Sequence, residues 1–591
     1  MMMKNKSFQW VKTNFRRLGL SASSSTMGIL MFLLSFIGGS LSVYAEDYNG
    51  RHGWPELKAP QKLIICEATK VPQEAILLES LSGLAAQAVN EGTFDEMVWI
   101  DIDTQDYNTI LKKSCEALKI RHFQKMDVWT LLEYLKSKGV VKGYVRYNFL
   151  PYQEDTKITD HSSNVGTVYA SLLKGALIDA SLESKAKALG LSCLKDACTE
   201  TMTQCFAKNK KLLSNETALS IHPSVSNIRD YAIAHKLMLF DDEKELTEKI
   251  LKWVKPLTPI LGWGCADEFD ATSIITEWGH YNTASNWCVN LPFISAAAPS
   301  IPVEKVKEIS LDEIDFNDST YVHSFVMSDG DNMQWTMGAF VNHPCYLGNE
   351  YSRKEGLTWT TCPINLSVVS PVTWNEMLQY QTGRTSFIEY GAGYQYPDLF
   401  AKNCPNRKAL LREFARRVNR HLKEMDIKIF GALFKDVDSP EAKEALQIYV
   451  EEMEDITGII AIQYYPYELG KQVQWFKNKQ GISIPVVTAD YSLWDTTDKN
   501  RPYAGAPEYV ASLINREAQD DPHGYSWTIV HAWSDFQHSS KITEKRAVGV
   551  NPIKATESLL NNKVRVVSLN EMLWRMRMQA HPEEVKALLK K

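Results

Sequence analysis

The chain has no CxxC pair, no GxxxxGK[ST] phosphate loop and, after its first 45 residues, no apolar run long enough to span a bilayer. The first absence argues against a zinc ribbon, the second against a P-loop nucleotide site, and the third against stable membrane insertion once a leader is removed. A basic stripe is missing too. The net charge is −6, and the first 45 residues hold five positive and no negative side chains, so the remainder carries about −11. An acidic chain without such a stripe argues against nucleic acid or anionic lipid as a partner. None of the 13 histidines stands four residues from another, so the usual helical pair of metal ligands is absent. No internal repeat or low-complexity tract is visible, and no metal or cofactor is expected.

What is present begins with a leader. Lys4, Lys6, Lys12, Arg16 and Arg17 precede an uncharged apolar core at 27–37, and Val43-Tyr44-Ala45 offers small residues for cleavage before Glu46. Residues 1–45 therefore read as a signal peptide, with an uncleaved anchor as the alternative because the basic region is long. No cysteine follows the apolar core, which argues against a lipoprotein. The product is expected to be exported, to the periplasm, the cell surface or beyond. All ten cysteines lie after the leader. An exported chain permits disulfides, and Cys193, Cys198 and Cys205 form the best placed group; buried thiols with one or two bridges are expected.

The C-terminal half shows strand-like runs at 321–327, 364–369, 386–389, 427–434, 458–463, 484–488, 526–531 and 564–567. Between them, 407–424 and 440–455 carry apolar residues at three- and four-residue steps, as helices do. Eight strands with crossovers in about 260 residues fit a (β/α)8 TIM-like barrel, with a doubly wound open sheet as the competing arrangement. The N-terminal half reads as smaller α/β domains, with strands at 63–66, 97–100 and 141–147 and helices at 74–89 and 128–137. The expected division is 46–160, 161–255, a small third segment with linker at 256–318, and the barrel at 319–591.

In a barrel the substrate meets the C-terminal ends of the strands. The first strand there ends in Ser328-Asp329-Gly330-Asp331-Asn332, and the third ends at Glu389, followed by Gly391-Ala392-Gly393-Tyr394-Gln395-Tyr396-Pro397. Two glycines, two tyrosines and a proline after a strand describe a loop that approaches something closely. Asp436, Asp490 and His531 occupy the ends of later strands. Each has a bland alternative: Asp and Asn side chains cap turns, and strand-end histidines are often core residues. Asp438, followed by Ser439-Pro440, reads as a helix N-cap. Tyr390, Tyr394, Tyr396, Tyr464, Tyr465, Tyr467, Trp494 and Trp533 gather at the same ends. Flat rings with polar tips suit the C–H faces and hydroxyls of sugars, although such residues are also ordinary barrel core and rim.

The heptad at 391–397 resembles the signature of the GxGYxYP family, a bacterial group of glycoside hydrolases, and 328–332 is similar to that family's SDGDN segment. The resemblance implies carbohydrate processing. Glycosidic hydrolysis takes two carboxyl groups, one protonated and one ionised. Glu389 is the expected acid, because tyrosines flank it and would raise its pKa, and Asp329 or Asp331 the expected base or nucleophile. Asn332, Tyr394, Tyr396, Asp436, Tyr465, Asp490, Trp494, His531 and Trp533 are the expected substrate contacts. A non-catalytic glycan-binding protein and a metal-dependent carbohydrate deacetylase are the alternatives.

Overall fold

Among the described residues, four sheets and the helices between them build the molecule. The computed structural model describes residues 48–590 apart from 154–156, 242, 265–266, 497, 499, 540, 543 and 545, so the leader lies outside the described residues. From Arg51 onward the chain is one compact unit.

Three small parallel sheets occupy the N-terminal half. The first has β1 (Lys62–Glu67) between β2 (Glu96–Asp101) and β3 (Phe123–Met126); the second has β4 (Gly143–Tyr147) between β5 (Gly175–Asp179) and β6 (Cys193–Asp196). The third orders β7 (Ala218–Ser220), β8 (Met238–Phe240), β9 (Pro259–Gly262) and β10 (Tyr281–Thr283) as β10-β9-β7-β8. The second sheet joins residues on both sides of position 160, and the third joins residues on both sides of 255. The helix Pro72–Glu91 runs among them and is buried all round from Ile76 to Val89. Its sequence is apolar on every face, which is the pattern of a core helix rather than an amphipathic surface one.

The fourth sheet holds the C-terminal half. Its strands are β11 (Tyr321–Met327), β12 (Thr358–Thr361), β13 (Ser386–Tyr390), β14 (Ile429–Phe434), β15 (Gly458–Gln463), β16 (Val473–Lys477), β17 (Ser483–Val487), β18 (Tyr491–Leu493), β19 (Ala504–Gly505), β20 (Tyr525–Val530) and β21 (Val564–Val566). They order as β16-β17-β15-β14-β13-β12-β11-β20-β18-β19, with β21 beside the start of β11. Apart from the β16–β17 hairpin every ladder is parallel. β11, β12, β13 and β14 are buried at every position, as strands covered on both faces must be.

The closed (β/α)8 barrel expected from the sequence is not what forms. The sheet is a curled half-barrel. β17 pairs with β15, and only three residues later β18 pairs with β20, with no helix between the two. Among the described residues no ladder joins β17 to β18. The run at 364–369 is a helix, Pro363–Val369, and the strand is Thr358–Thr361 just before it. Proline in the first turn favours the helix, whereas the preceding Thr-Trp-Thr-Thr is rich in β-formers. The cap of helix Pro440–Glu452 is Ser439, which accepts the Ala442 N–H; Asp438 only donates its own N–H to Asp436.

The expected bridge in the 193–205 group is absent. Cys193, Cys198 and Cys205 are free thiols, as are the other described cysteines. Cys205 is fully buried under Asn209, whose side chain donates to its Sγ, and Cys198 lies against Arg146. Among the described residues no helix is long and apolar enough to cross a membrane.

Candidate active site

At the C-terminal ends of the strands, the sheet and the β7–β10 sheet enclose a cavity of about 220 Å³. Three carboxylates line it: Asp329 and Asp331 after β11, and Glu268 at the start of helix Glu268–Glu277. Trp263, Trp287, Tyr390, Tyr394, Tyr467 and Trp533 supply aromatic walls, and Asn332, Gln334, Asn286 and His531 add polar contacts. Among the described residues, no lysine or arginine lines it.

The β11 end is held by short-range contacts. Asp329 has φ +64°, a left-handed conformation that aspartate tolerates better than most residues. Its Oδ2 accepts from the Ser328 hydroxyl and, at 3.4 Å, from the Ala532 N–H after β20. Gly330 donates its N–H to Thr360 Oγ1 at 3.0 Å, and a Cβ at this position would lie 1.7 Å from the Thr360 carbonyl oxygen. Only glycine lets the loop sit on β12. Gly330→Ala is therefore expected to lower stability by about 1–3 kcal/mol, the usual range for forced overpacking; denaturant unfolding measures it. Asn332 caps helix Met333–Ala339 by accepting the Trp335 N–H.

Asp331 keeps part of its surface open to the cavity while protein crowds it on all other sides. Burial raises its pKa well above the usual carboxylate range, and the charges of Asp329 and Glu268 add to the effect. Glu268 is raised as well, first by burial and then by Asp329, although the Tyr394 hydroxyl donates to it at 2.5 Å and partly offsets the shift.

The 391–397 loop explains its own composition. Gly391, Ala392 and Gly393 have φ of +87°, +57° and +124° in succession. A Cβ on Gly393 would lie 2.4 Å from the Tyr281 ring, so glycine is needed both for conformation and for space. Beyond the turn, Tyr394 and Asn282 exchange backbone hydrogen bonds of 2.7 and 2.8 Å, which ties the loop to β10. Tyr394 then stacks on Trp263, with ring centres 5.8 Å apart and planes 12° apart.

Glu389, the acid expected from the sequence, does not line the cavity. It is fully buried, and its two oxygens accept the Ile364 and Ala392 N–H groups at 2.8 Å each. It anchors the glycine turn from below. Burial pushes its pKa to about 8, against the two N–H bonds that pull it down. The folded protein thus retains a proton at neutral pH that the unfolded chain, near 4.5, has released. Its stabilising contribution is complete below about pH 4.5 and is lost as pH rises through about 8. Glu308 and Asp490 are also pushed to about 8 by burial. Buried histidines such as His280 and His421, lowered to about 4, act in the opposite sense only below their ordinary 6.5. Between pH 7 and 8.5 these acids, joined near the top of the window by buried thiols such as Cys66 and Cys205, act in one sense, so Tm is expected to fall. Glu389→Gln should fall less steeply, and parallel slopes in thermal melts would rule out this origin.

The other expected contacts divide. Asp329, Asp331, Asn332, Tyr394, His531 and Trp533 line the cavity. Trp494 lies one layer behind: its ring stacks on His531 at 3.7 Å and packs on Tyr467 at 5.0 Å. Tyr396 is fully buried beneath Tyr394 and against Phe269. Asp436 is an exposed turn residue accepting the Asp438 N–H. Tyr465 is exposed and donates to Asp498 at 2.5 Å. Asp490 is buried, with Oδ2 on the Trp527 N–H. None of these five lines the cavity. Glu268, Trp263, Asn286 and Trp287 escaped sequence reasoning because they belong to another sheet's segment, more than 30 residues before β11. The Gly262-Trp263-Gly264 run was the visible signal. Among the described residues no three His, Cys, Asp or Glu side chains gather as metal ligands.

A parallel α/β scaffold with a carboxylate-and-aromatic cavity at its strand ends is the class that fold and site define. Residues 318–573 match the model described as GxGYxYP putative glycoside hydrolase C-terminal domain, and residues 215–296 match the GxGYxYP third domain. Together they span more than half of the sequence, and the chain belongs to the GxGYxYP family. A crystal structure described as a putative hydrolase from Bacteroides thetaiotaomicron VPI-5482 shares the fold, with a TM-score of 0.73 at 20% identity over 89% of this chain and 96% of that one. No curated protein matches the sequence.

Proposed function

We propose that the protein hydrolyses glycosidic bonds in an oligo- or polysaccharide, with Asp331 as general acid and Asp329 as base or nucleophile. The observation that carries this reading is the meeting of Asp329, Asp331 and Glu268 inside an aromatic-walled cavity at the strand ends. The raised pKa of Asp331 keeps a proton available for the leaving oxygen. Asp329 is held in place by Ser328 and the Ala532 N–H. Glu268 and Tyr394 form a hydrogen-bonded pair suited to sugar hydroxyls. Trp287 and Trp533, 59% and 40% exposed, extend the aromatic surface out of the cavity, so the substrate is longer than one sugar. Three acids, and no basic residue among the described lining, favour neutral or amino sugars over sulfated or uronate-bearing glycans. An exported location, argued from residues 1–45, accords with such a substrate.

The test is a screen of the purified protein against neutral, amino and acidic glycans, reading new reducing ends together with binding. Release from neutral or amino glycans, absent from acidic ones, is the expected result. Binding without release by any preparation would make the protein a glycan binder instead.

A further inference from the structure

A larger cleft, of about 520 Å³, opens at the opposite end of the half-barrel. Lys428, Thr457 and Ile484 place it at the N-terminal ends of β14, β15 and β17, away from the candidate active site. Helix Leu569–Ala580 contributes Asn570, Trp574 and Arg577 to its wall.

Arg577 is the unexplained group. It is 3% exposed, its guanidinium lies 4.2 Å over the Trp574 ring, and no hydrogen bond or ion pair to it exists among the described residues. Glu584 is the acid that acts on it, from beyond ion-pair distance, and is itself engaged by Ser483. A guanidinium so largely buried and without a protein partner is costly unless solvent or a ligand reaches it from the cleft. Beside it, the Asn570 Oδ1 and the Thr457 hydroxyl are buried without hydrogen-bond partners, and both residues line the same cleft. A fork of donors, an acceptor and a hydroxyl are thus left unmatched around one cavity.

We propose that this cleft is a second ligand site, taking a hydroxylated monocarboxylate such as a sugar acid, with its carboxylate on Arg577 and its hydroxyls on Asn570 and Thr457. The planar guanidinium matches a carboxylate in bidentate fashion. The acids of the rim set the charge of the ligand. Asp426 is paired with Lys428 at 2.6 Å and Glu454 with Lys423 at 2.5 Å, while Asp455 stands 4.0 Å from the same lysine. Glu308, half-buried and pushed up to about 8, is mostly uncharged at neutral pH. A single negative charge is accommodated at Arg577, whereas a phosphate dianion meets Asp455 and Asp426 on entry. The site is independent of the proposed hydrolysis and would stand if that reading failed.

Isothermal titration of the purified protein with D-glucuronate, D-gluconate, glucose and inorganic phosphate tests the proposal. Saturable binding of a sugar acid, with none for glucose or phosphate, is the expected result. Arg577→Lys keeps the charge but loses the fork and should weaken binding at least tenfold; Asn570→Leu should weaken it severalfold. Asp331→Asn should bind as the unmodified protein does, which separates this cleft from the candidate active site. Should Arg577→Lys fail to fold, Asn570→Leu carries the test. Absence of binding at millimolar sugar acid, unchanged affinity in a folded Arg577→Lys, or preference for phosphate would each overturn it.

Discussion

Replacing Asp331 with asparagine is expected to lower kcat on a natural glycan by about 10²–10⁴-fold, the usual contribution of a positioned general acid. Asparagine keeps the shape of the side chain but has no proton to transfer to the leaving oxygen. The loss should shrink on aryl glycosides whose leaving groups depart without protonation, and that contrast identifies the role. The pH profile gives a second reading. The acid must be protonated, so kcat falls as pH rises through its pKa. Burial, Asp329 and Glu268 hold that pKa above the usual carboxylate range, which puts the alkaline limb well above pH 4. Glu268→Gln removes one of the repelling charges and should move the limb to lower pH, whereas Asp331→Asn should abolish it. A profile unchanged by both substitutions would remove Asp331 from the chemistry.

Much of this arrangement was legible in the sequence because it is local. The SDGDN run at 328–332 ends a seven-residue apolar strand, and a strand followed by a turn is a pattern that neighbouring residues write by themselves. β11 and β15 and helix Val128–Ser137 have the bounds their apolar periodicity predicts. What the sequence did not disclose depends on distant contacts. Glu389 and Asp331 are both strand-end acids, yet one accepts two N–H groups inside the core and the other faces the cavity. Nothing in the residues beside them separates the two fates. Glu268 enters the site only because Asn282 pairs with Tyr394 and draws the β7–β10 sheet over the strand ends. Barrel closure is likewise decided by the three residues between β17 and β18, too few to leave a mark in periodicity.

Removal of Glu468 should produce the largest loss of stability, about 3–5 kcal/mol, because it strands a buried cation. Its carboxylate holds Arg501 through two bonds of 2.9 and 2.7 Å, and both side chains are at most 2% exposed. Arg501 in turn lies 4.6 Å over Trp494, and Trp494 stacks on His531, which lines the cavity. Glu468→Ala therefore acts on the site through a chain of contacts as well as on the fold. Denaturant unfolding should show the loss, and affinity for a bound glycan should fall with it as the His531 wall loses its backing. Replacing Glu468 and Arg501 together by leucine removes the stranded charge and should recover a large part of the stability. It should not recover the glycan affinity, because leucine at 501 no longer covers Trp494 with a cation. A single-variant cost below about 1 kcal/mol, the range of exposed pairs, would mean that water reaches Arg501 and that the wall does not depend on it.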